Sequence, residues 1–339
     1  MRRAIKFLLI AAVLIVAGCE HRPLEMPNEH TEVHVIVNVS AICNVTTHIY
    51  NEHVPVPDIK PEMLRVLFYD PQTHRLVTQA FISEKYTLDD GTQVICGDIK
   101  VLPGTYDILC YNFDLTSTTV TGEGNFDMIT ASTPQVDESI LSRFESKADE
   151  VPDIRYQPDH LLVARNLGFE ILPHVEKYII KAEATTVIDT YYLQIRIKDG
   201  HNAQAASASI SGLSSSNRIG PNIRNMDSPA ATFFDLNKCY DIKIEDDNQE
   251  VLCAIFNTFG KIPDADSELS ITFRVQTRAG GVAEKVVNMN EIFKTEDAIK
   301  RHWLLIDEIW EIPLIGGTAQ GGFRPELGDW QEEHEEIEM

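Results

Sequence analysis

Recognisable catalytic motifs are missing from this chain. It contains no G-x-S-x-G, H-E-x-x-H, G-x-x-x-x-G-K-[ST] or G-x-G-x-x-G pattern. Each of these patterns places a nucleophile, a zinc site or a phosphate-binding loop in the geometry that its chemistry requires. The sequence therefore predicts a protein that is not an enzyme and that uses no cofactor. A hydrolase whose site forms only in three dimensions stays open.

Basic residues are scarce. The chain has 29 lysines and arginines against 52 aspartates and glutamates, and its net charge is −23. Nucleic acids and anionic lipid headgroups are bound through basic patches, so this balance argues against both as partners. An acidic surface keeps an exported protein soluble, but it identifies no partner.

The longest hydrophobic run of the chain lies near its N-terminus, at residues 7–17. This run follows three basic residues and has 11 residues, fewer than the roughly twenty that a membrane-spanning helix needs. The small residues before Cys19 give the sequence VAGC, which resembles the lipobox of bacterial lipoproteins. We predict a signal peptide at residues 1–18, acyl chains on Cys19 and a proline-containing tether at 19–29. The alternative is an ordinary signal peptide that happens to contain this cysteine.

Cysteines are few, and none lies in a C-x-x-C arrangement. Five follow Cys19, at positions 43, 96, 110, 239 and 253, so they cannot all pair within one chain. Cys110 and Cys253 lie in apolar, strand-like runs, which favours buried thiols. Disulfides between Cys96 and Cys110, or between Cys239 and Cys253, stay open because each pair flanks one hairpin-sized loop.

Alternating apolar and polar residues dominate the rest of the chain. Residues 31–40 place Val33, Val35, Val37 and Val39 on one face, with polar residues on the other. A period of two with one polar face predicts an antiparallel strand over a core.

Similar runs recur at short intervals. Further strands are predicted at 64–69, 76–83, 92–99, 105–113, 160–164, 185–198, 205–210, 231–235, 239–244, 250–259, 269–277 and 302–312. A short helix is predicted at 137–145, and 290–299 is either a helix or a loop. Two serial sets of strands predict an all-β protein with two β-sandwich domains, at 30–170 and 171–339, the second ending in a glycine-rich acidic tail.

One internal phrase carries a family resemblance. The turn Leu102-Pro103-Gly104 leads into a strand on which Tyr106 and Ile108 share a face. This L-P-G-x-Y pattern, followed by an alternating strand and an asparagine, is similar to the first domain of the fimbrillin-like and fimbrial anchor lipoproteins of Bacteroidetes. The lipobox, the CEHRPLE start of the predicted mature chain and the ending GGTAQGGFRPELGDWQEEHEEIEM point the same way.

The resemblance implies Greek-key, transthyretin-like sandwiches on an outer membrane lipoprotein shown at the cell surface. It also implies a role in pilus assembly and adhesion, with other fimbrial subunits as partners joined by β-strand exchange. The physics suits this role, because an open sheet edge offers unpaired backbone groups to a donated strand.

One departure from the family concerns proteolysis. Polymerising members lose their first strand to a protease that cuts after a basic residue. Here no arginine or lysine lies between Arg22 and Lys60, and the next basic residue is Arg65. This departure favours an anchor, accessory or stand-alone role over that of a stalk subunit.

The C-terminal segment is a candidate donor strand. Residues 313–330 combine glycine spacers with Phe323, Leu327 and Trp330, which could serve as the apolar anchors of a strand-exchange segment. The alternative is a terminal strand that closes its own domain, followed by a frayed acidic tail.

A second class of function is the binding of glycans or other nutrients at the surface. Exposed aromatic side chains would stack on sugars, although at strand positions such residues favour a core. The six candidates are Tyr191, Tyr192, Phe233, Phe234, Trp303 and Trp310.

Metal binding is not predicted. His48 and His53 share one loop with Glu52, and His74 lies in a turn. Together they could form a site, but unpaired surface histidines explain them more simply.

Overall fold

Strands make up most of the regular structure in this computed structural model. It describes residues 30–40, 57, 60–113, 115–144, 153–173, 177–240, 250–262 and 269–316. The strands of the first half are β1 (Thr31–Asn38), β2 (Leu64–Tyr69), β3 (Leu76–Ile82), β4 (Glu84–Thr87), β5 (Gln93–Val101), β6 (Gly104–Asn112), β7 (Thr119–Thr121), β8 (Thr130–Ser132), β9 (Ile154–Tyr156), β10 (Leu162–Ile171), β11 (Lys177–Glu183) and β12 (Thr185–Thr186).

The second half continues in the same way. Its strands are β13 (Asp189–Lys198), β14 (Ala203–Ser214), β15 (Ser216–Arg218), β16 (Ile223–Arg224), β17 (Pro229–Tyr240), β18 (Glu250–Thr258), β19 (Ser270–Thr277), β20 (Val282–Asn288) and β21 (Trp303–Glu311). The described helices are α1 (Glu138–Phe144) and α2 (Glu296–Arg301), with 3-10 turns at Gly200–Asn202 and Ile292–Lys294. The predicted all-β class is confirmed. No helix in the described ranges is long and apolar enough to cross a bilayer.

The described strands form four sheets. The first has the order β11-β1-β5-β4 and the second β12-β10-β6-β2-β3. The third and largest runs β20-β19-β14-β17-β18-β13-β21, with β9 beside β17, and the fourth is β16-β15-β8-β7.

A hydrophobic core fills the space between the first and second sheets. It takes Val35 from β1, Phe68 from β2 and Ile108 from β6, among others. These residues lie at alternate positions of their strands, so period-two patterning produces the buried face. Burying one such side chain stabilises the fold by roughly 1.5–3 kcal/mol.

The largest sheet curves around its own core. All seven strands of its main order contribute buried residues to one cluster, including the two edge strands β20 and β21. Phe234 and Phe256 stack at the centre, with ring centroids 4.3 Å apart. Lys285 on β20 pairs with Glu308 on β21 at 2.7 Å, so the two edges approach each other.

Several pairings join the two halves of the chain. β8 pairs with β15 and β9 pairs with β17, while β11 and β12 return to pair with β1 and β10. Residues 177–186 therefore belong to the first two sheets, although they follow the predicted boundary at residues 170 and 171. The division into two Greek-key domains stays a prediction.

The cysteines differ from one of the sequence expectations. Cys96 and Cys110 are buried and free, so a disulfide between them is ruled out. Burial raises the pKa of the Cys110 thiol to about 12. Cys253 is disulfide-bonded, so the prediction of a buried thiol is wrong there. The partner cysteine is not among the described side chains. The predicted pairing with Cys239 stays open, since Cys239 lies on neighbouring β17, two residues after Asn237, which pairs with Cys253.

Candidate functional site

The first strand is the feature on which the predicted role depends. All eight residues of β1 pair with β5, and seven of them also pair with β11. β1 is therefore an interior strand of its own sheet. Val33, Val35 and Val37 are 0% exposed and face the core, as the sequence predicted.

Backbone hydrogen bonds between this segment and its neighbours continue beyond the end of β1. The Val39 amide donates to the Gln93 carbonyl at 2.9 Å, and the Ala184 amide donates to the Asn38 carbonyl at 2.9 Å. Removing β1 would leave two rows of backbone groups without partners, together with an apolar groove. Strand addition satisfies a vacancy of this kind.

Polar and charged side chains join the outer face of β1 to both of its neighbours. His34 Nδ1 lies 2.7 Å from Asp98 Oδ1 on β5. Lys177 on β11 pairs with the same oxygen at 3.0 Å and with Glu32 of β1 at 3.2 Å. Hydrogen bonds from Lys177 and His34 lower the pKa of the Asp98 carboxyl, and the Asp98 and Glu32 carboxylates raise the pKa of Lys177.

The first basic residues after β1 are poorly placed for a protease that would remove this strand. Lys60 is exposed shortly before β2. Arg65 lies inside β2, which pairs with β3 on one side and β6 on the other. Its side chain is ion-paired with Glu123 at 2.8 Å. Cleavage after Arg65 would require local unfolding of the second sheet.

The C-terminal strand lies in its own sheet. β21 pairs in parallel with β13. The following residues then rest on the turn between β19 and β20, where the Gly281 amide donates to the Ile315 carbonyl at 2.9 Å and Gly280 pairs with Gly316. Phe323, Leu327 and Trp330 lie outside the described residues, as does Cys19.

The predicted aromatic candidates do not form a sugar platform. All six are at most 8% exposed. The interpretation of these side chains as core is therefore confirmed.

The structure does not bring the candidate histidines together in a metal site among the residues that it describes. His74 Nδ1 is hydrogen-bonded to Asp127 and is therefore not unpaired, while His48, Glu52 and His53 lie outside the described residues. Within the described ranges, no group of three or more histidine, cysteine or acidic side chains could hold a metal ion.

Sequence reasoning missed the cluster on the outer face of β1. It placed Glu32 and His34 on the polar face, but Asp98 and Lys177 come from strands far away in the chain. It also missed the contact among Arg65, Phe81 and Phe113, where the Arg65 Cζ lies 5.3 and 5.2 Å from the two ring centroids. The available signal was weak, because Phe81 shares its face of β3 with Val77 and Gln79, and the sequence does not show that this face is exposed.

Comparisons with known proteins point in one direction. The family model described as "Domain of unknown function (DUF5119)" matches residues 18–235. A protein of Bacteroides ovatus named "Putative fimbrium anchoring subunit Fim4B" is 22% identical over 270 residues, which cover 79% of this chain and 72% of that protein. The resemblance to fimbrial anchor proteins is confirmed by this relative.

A solved structure from Bacteroides ovatus shares the fold. The crystal structure of "a putative adhesin" from Bacteroides ovatus superposes with a TM-score of 0.56 at 18% identity, over 89% of this chain and 99% of that one. The fimbrial anchor protein Mfa2 from Porphyromonas gingivalis gives a TM-score of 0.45 at 13% identity, over 83% and 90% of the two chains.

Proposed function

This chain belongs to the family described as Domain of unknown function (DUF5119), and we propose that it is a surface lipoprotein acting as an anchor or accessory subunit of a fimbrium. The name of its Bacteroides ovatus relative, a fimbrium anchoring subunit, supports this role. The role is a non-catalytic one, in adhesion and in assembly with other fimbrial subunits.

The position of β1 carries the proposal. A stalk subunit that polymerises after losing its first strand must release that strand readily. Here β1 is interior, its three core valines are fully buried, and its outer face is ion-paired to β11 through Glu32 and hydrogen-bonded to β5 through His34. The absence of basic residues between Arg22 and Lys60 adds to this retention. A subunit that keeps its first strand suits the end of an assembly better than its repeating shaft.

The proposed attachment is through lipid. Acyl chains on Cys19 would hold the protein in the outer membrane, and stable anchoring needs more than one chain. The tether at residues 19–29 would then carry the folded part away from the membrane surface. This arrangement places the protein at the cell surface, as the base of a fimbrium requires.

The proposed contact with the next subunit is β-strand complementation. The C-terminal segment would supply the donated strand, with Phe323, Leu327 and Trp330 as its apolar anchors. The described part of this segment, residues 313–316, rests on the turn between β19 and β20. A donated strand gains backbone hydrogen bonds along a sheet edge and buries its alternate side chains.

Replacing Cys19 tests the anchoring role. In cells carrying Cys19→Ala, we expect the protein to leave the outer membrane fraction and fimbriae to appear in the culture medium. Membrane fractionation and immunoblotting of shed fimbriae measure both effects. Met26→Ala, in the predicted tether, serves as the control and should leave both unchanged. Fimbriae that stay on Cys19→Ala cells, or a purified protein that captures surface polysaccharide and no fimbrial protein, would contradict the proposal.

A further inference from the structure

Two phenylalanine rings stand exposed side by side on the second sheet. Phe81 of β3 is 51% exposed, and Phe113, just after β6, is 42% exposed. Their ring centroids are 5.1 Å apart, with the planes at 60°. Single exposed apolar residues are ordinary, but clustered aromatic surface is typical of interaction sites.

Arg65 holds both rings in place. Its guanidinium carbon lies 5.3 Å from the Phe81 centroid and 5.2 Å from the Phe113 centroid, within the range of cation–π attraction. Its Nη2 donates to Gln79 Oε1 at 2.7 Å and pairs with Glu123 at 2.8 Å. The rings are therefore ordered before a partner arrives, which lowers the entropy cost of binding.

The strand that carries Phe81 is an edge strand. β3 ends the second sheet, and among the described residues a backbone hydrogen bond to its free side is made at its start, where the Leu76 amide donates to the Gly124 carbonyl at 3.1 Å. After Leu76, β2 is the only described strand that pairs with β3. One side of β3 therefore offers backbone groups to an added strand.

The same edge continues into β4 and is acidic. Ser83 connects β3 to β4, which ends the first sheet, and Tyr86 and Leu88 are exposed along it. Lys85 is paired with Glu62 at 2.5 Å. Among the described residues, no ion pair is made by the exposed carboxylates of this stretch, which are Glu84, Asp89 and Asp90.

We propose that this edge, formed by β3 and β4 with the exposed Phe81 ring beside it, binds an extended segment of another protein by β-strand addition. The segment would carry aliphatic side chains at alternate positions, to pack on the Phe81 ring, which Phe113 supports from the other side of β2. Lysine or arginine between them would meet the carboxylates. The proposal stands apart from the fimbrial role, because it concerns neither β1 nor the C-terminal tail.

A peptide strand fits this edge better than other occupants. A sugar ring stacks on a flat aromatic face and needs polar groups beside it, whereas these two phenylalanines meet edge to face and carry no polar atom. An anionic membrane would be repelled by the exposed carboxylates.

Binding of a synthetic peptide tests the proposal. The probe is a fluorescent ten-residue peptide alternating valine and lysine, titrated with the purified full chain and followed by anisotropy. We expect saturable binding that is at least tenfold weaker in the Phe81→Ser/Phe113→Ser variant. The matched control is Val282→Ser/Val286→Ser, which removes two exposed valines from edge strand β20 and should leave the affinity unchanged.

Two further probes separate backbone pairing from simple stickiness. Two N-methylated versions of the valine–lysine peptide are made, one methylated at every valine and the other at every lysine. Successive N–H groups of a strand point to opposite sides, and strand addition uses the groups of one side. Only one of the two methylated peptides should therefore lose binding. The Glu84→Lys/Asp90→Lys variant should shift the preference from the valine–lysine peptide to a valine–glutamate peptide.

Three results would overturn the proposal. The first is that the Phe81→Ser/Phe113→Ser variant binds the valine–lysine peptide as tightly as the wild type. The second is that the β20 control variant loses binding, and the third is that the two N-methylated peptides bind equally well. Binding of cello-oligosaccharides or of phosphatidylglycerol vesicles that depends on Phe81 and Phe113 would instead assign the rings to a sugar or to a membrane.

Discussion

Individual charged side chains help to hold the first strand. The Asp98 carboxylate lies within reach of both His34 and Lys177, and these hydrogen bonds lower its pKa. A carboxyl whose pKa in the folded protein lies below the unfolded value of about 3.9 stabilises the fold above that pH. Its contribution disappears as the pH falls through the folded pKa.

The Asp98→Asn variant tests this contribution. At pH 7 we expect a lower free energy of unfolding than in the wild type, because the variant loses the ion pair with Lys177. The difference should shrink as the pH falls below about 4. Urea unfolding at a series of pH values measures it, with Glu183→Gln at the end of β11 as the control. A difference that stays constant over the whole pH range would contradict this assignment.

Among the elements, β1 shows how far local patterning reaches. Its alternating valines predicted both the strand and its buried face, and β2 was predicted with its observed bounds. β11 was missed because the exposed Ile179 interrupts its charged face, and because it gains its place only by pairing in parallel with distant β1. β20 was missed for a similar reason, because an edge strand with exposed valines lacks a clear buried face.

The position of β1 between β5 and β11 can be tested by deletion. A chain that lacks residues 31–40 should expose an apolar groove and bind the synthetic peptide TEVHVIVNVS. The intact chain should not bind it, because β1 already occupies the groove. The control peptide replaces Val33, Val35 and Val37 by serine and should bind neither chain. Isothermal titration calorimetry measures these affinities. Binding of the valine peptide to the intact chain at similar strength would show that β1 leaves its sheet readily.

At the scale of the whole molecule, the two halves are joined by partly buried hydrogen bonds. Arg165 of β10 donates from Nε to the Ile219 and Gly220 carbonyls at 3.0 and 2.9 Å, and from Nη2 to the Ile219 carbonyl at 2.6 Å. A Cβ atom on Gly220 would lie 1.9 Å from the Phe126 carbonyl oxygen. The second half therefore packs closely against the first at this turn.

Replacing Arg165 tests the coupling. The Arg165→Ala variant leaves partly buried carbonyl oxygens without a donor, so we expect a loss of roughly 1–3 kcal/mol in the free energy of unfolding. We also expect one thermal transition to separate into two. Differential scanning calorimetry measures both effects. Arg218→Ala, an exposed residue of nearby β15, should change little. Equal effects of the two substitutions would mean that Arg165 does not couple the halves.

The sequence by itself determined the all-β class and the buried face of β1, because a period of two is a local property that each strand carries alone. The tertiary structure decided that β1 lies between β5 and β11, that Asp98 and Lys177 meet on its outer face, and that Phe81 and Phe113 flank Arg65. Those contacts join residues far apart in the chain. Neither alternation nor composition records which strands become neighbours, because pairing depends on how whole sheets bury their faces against each other.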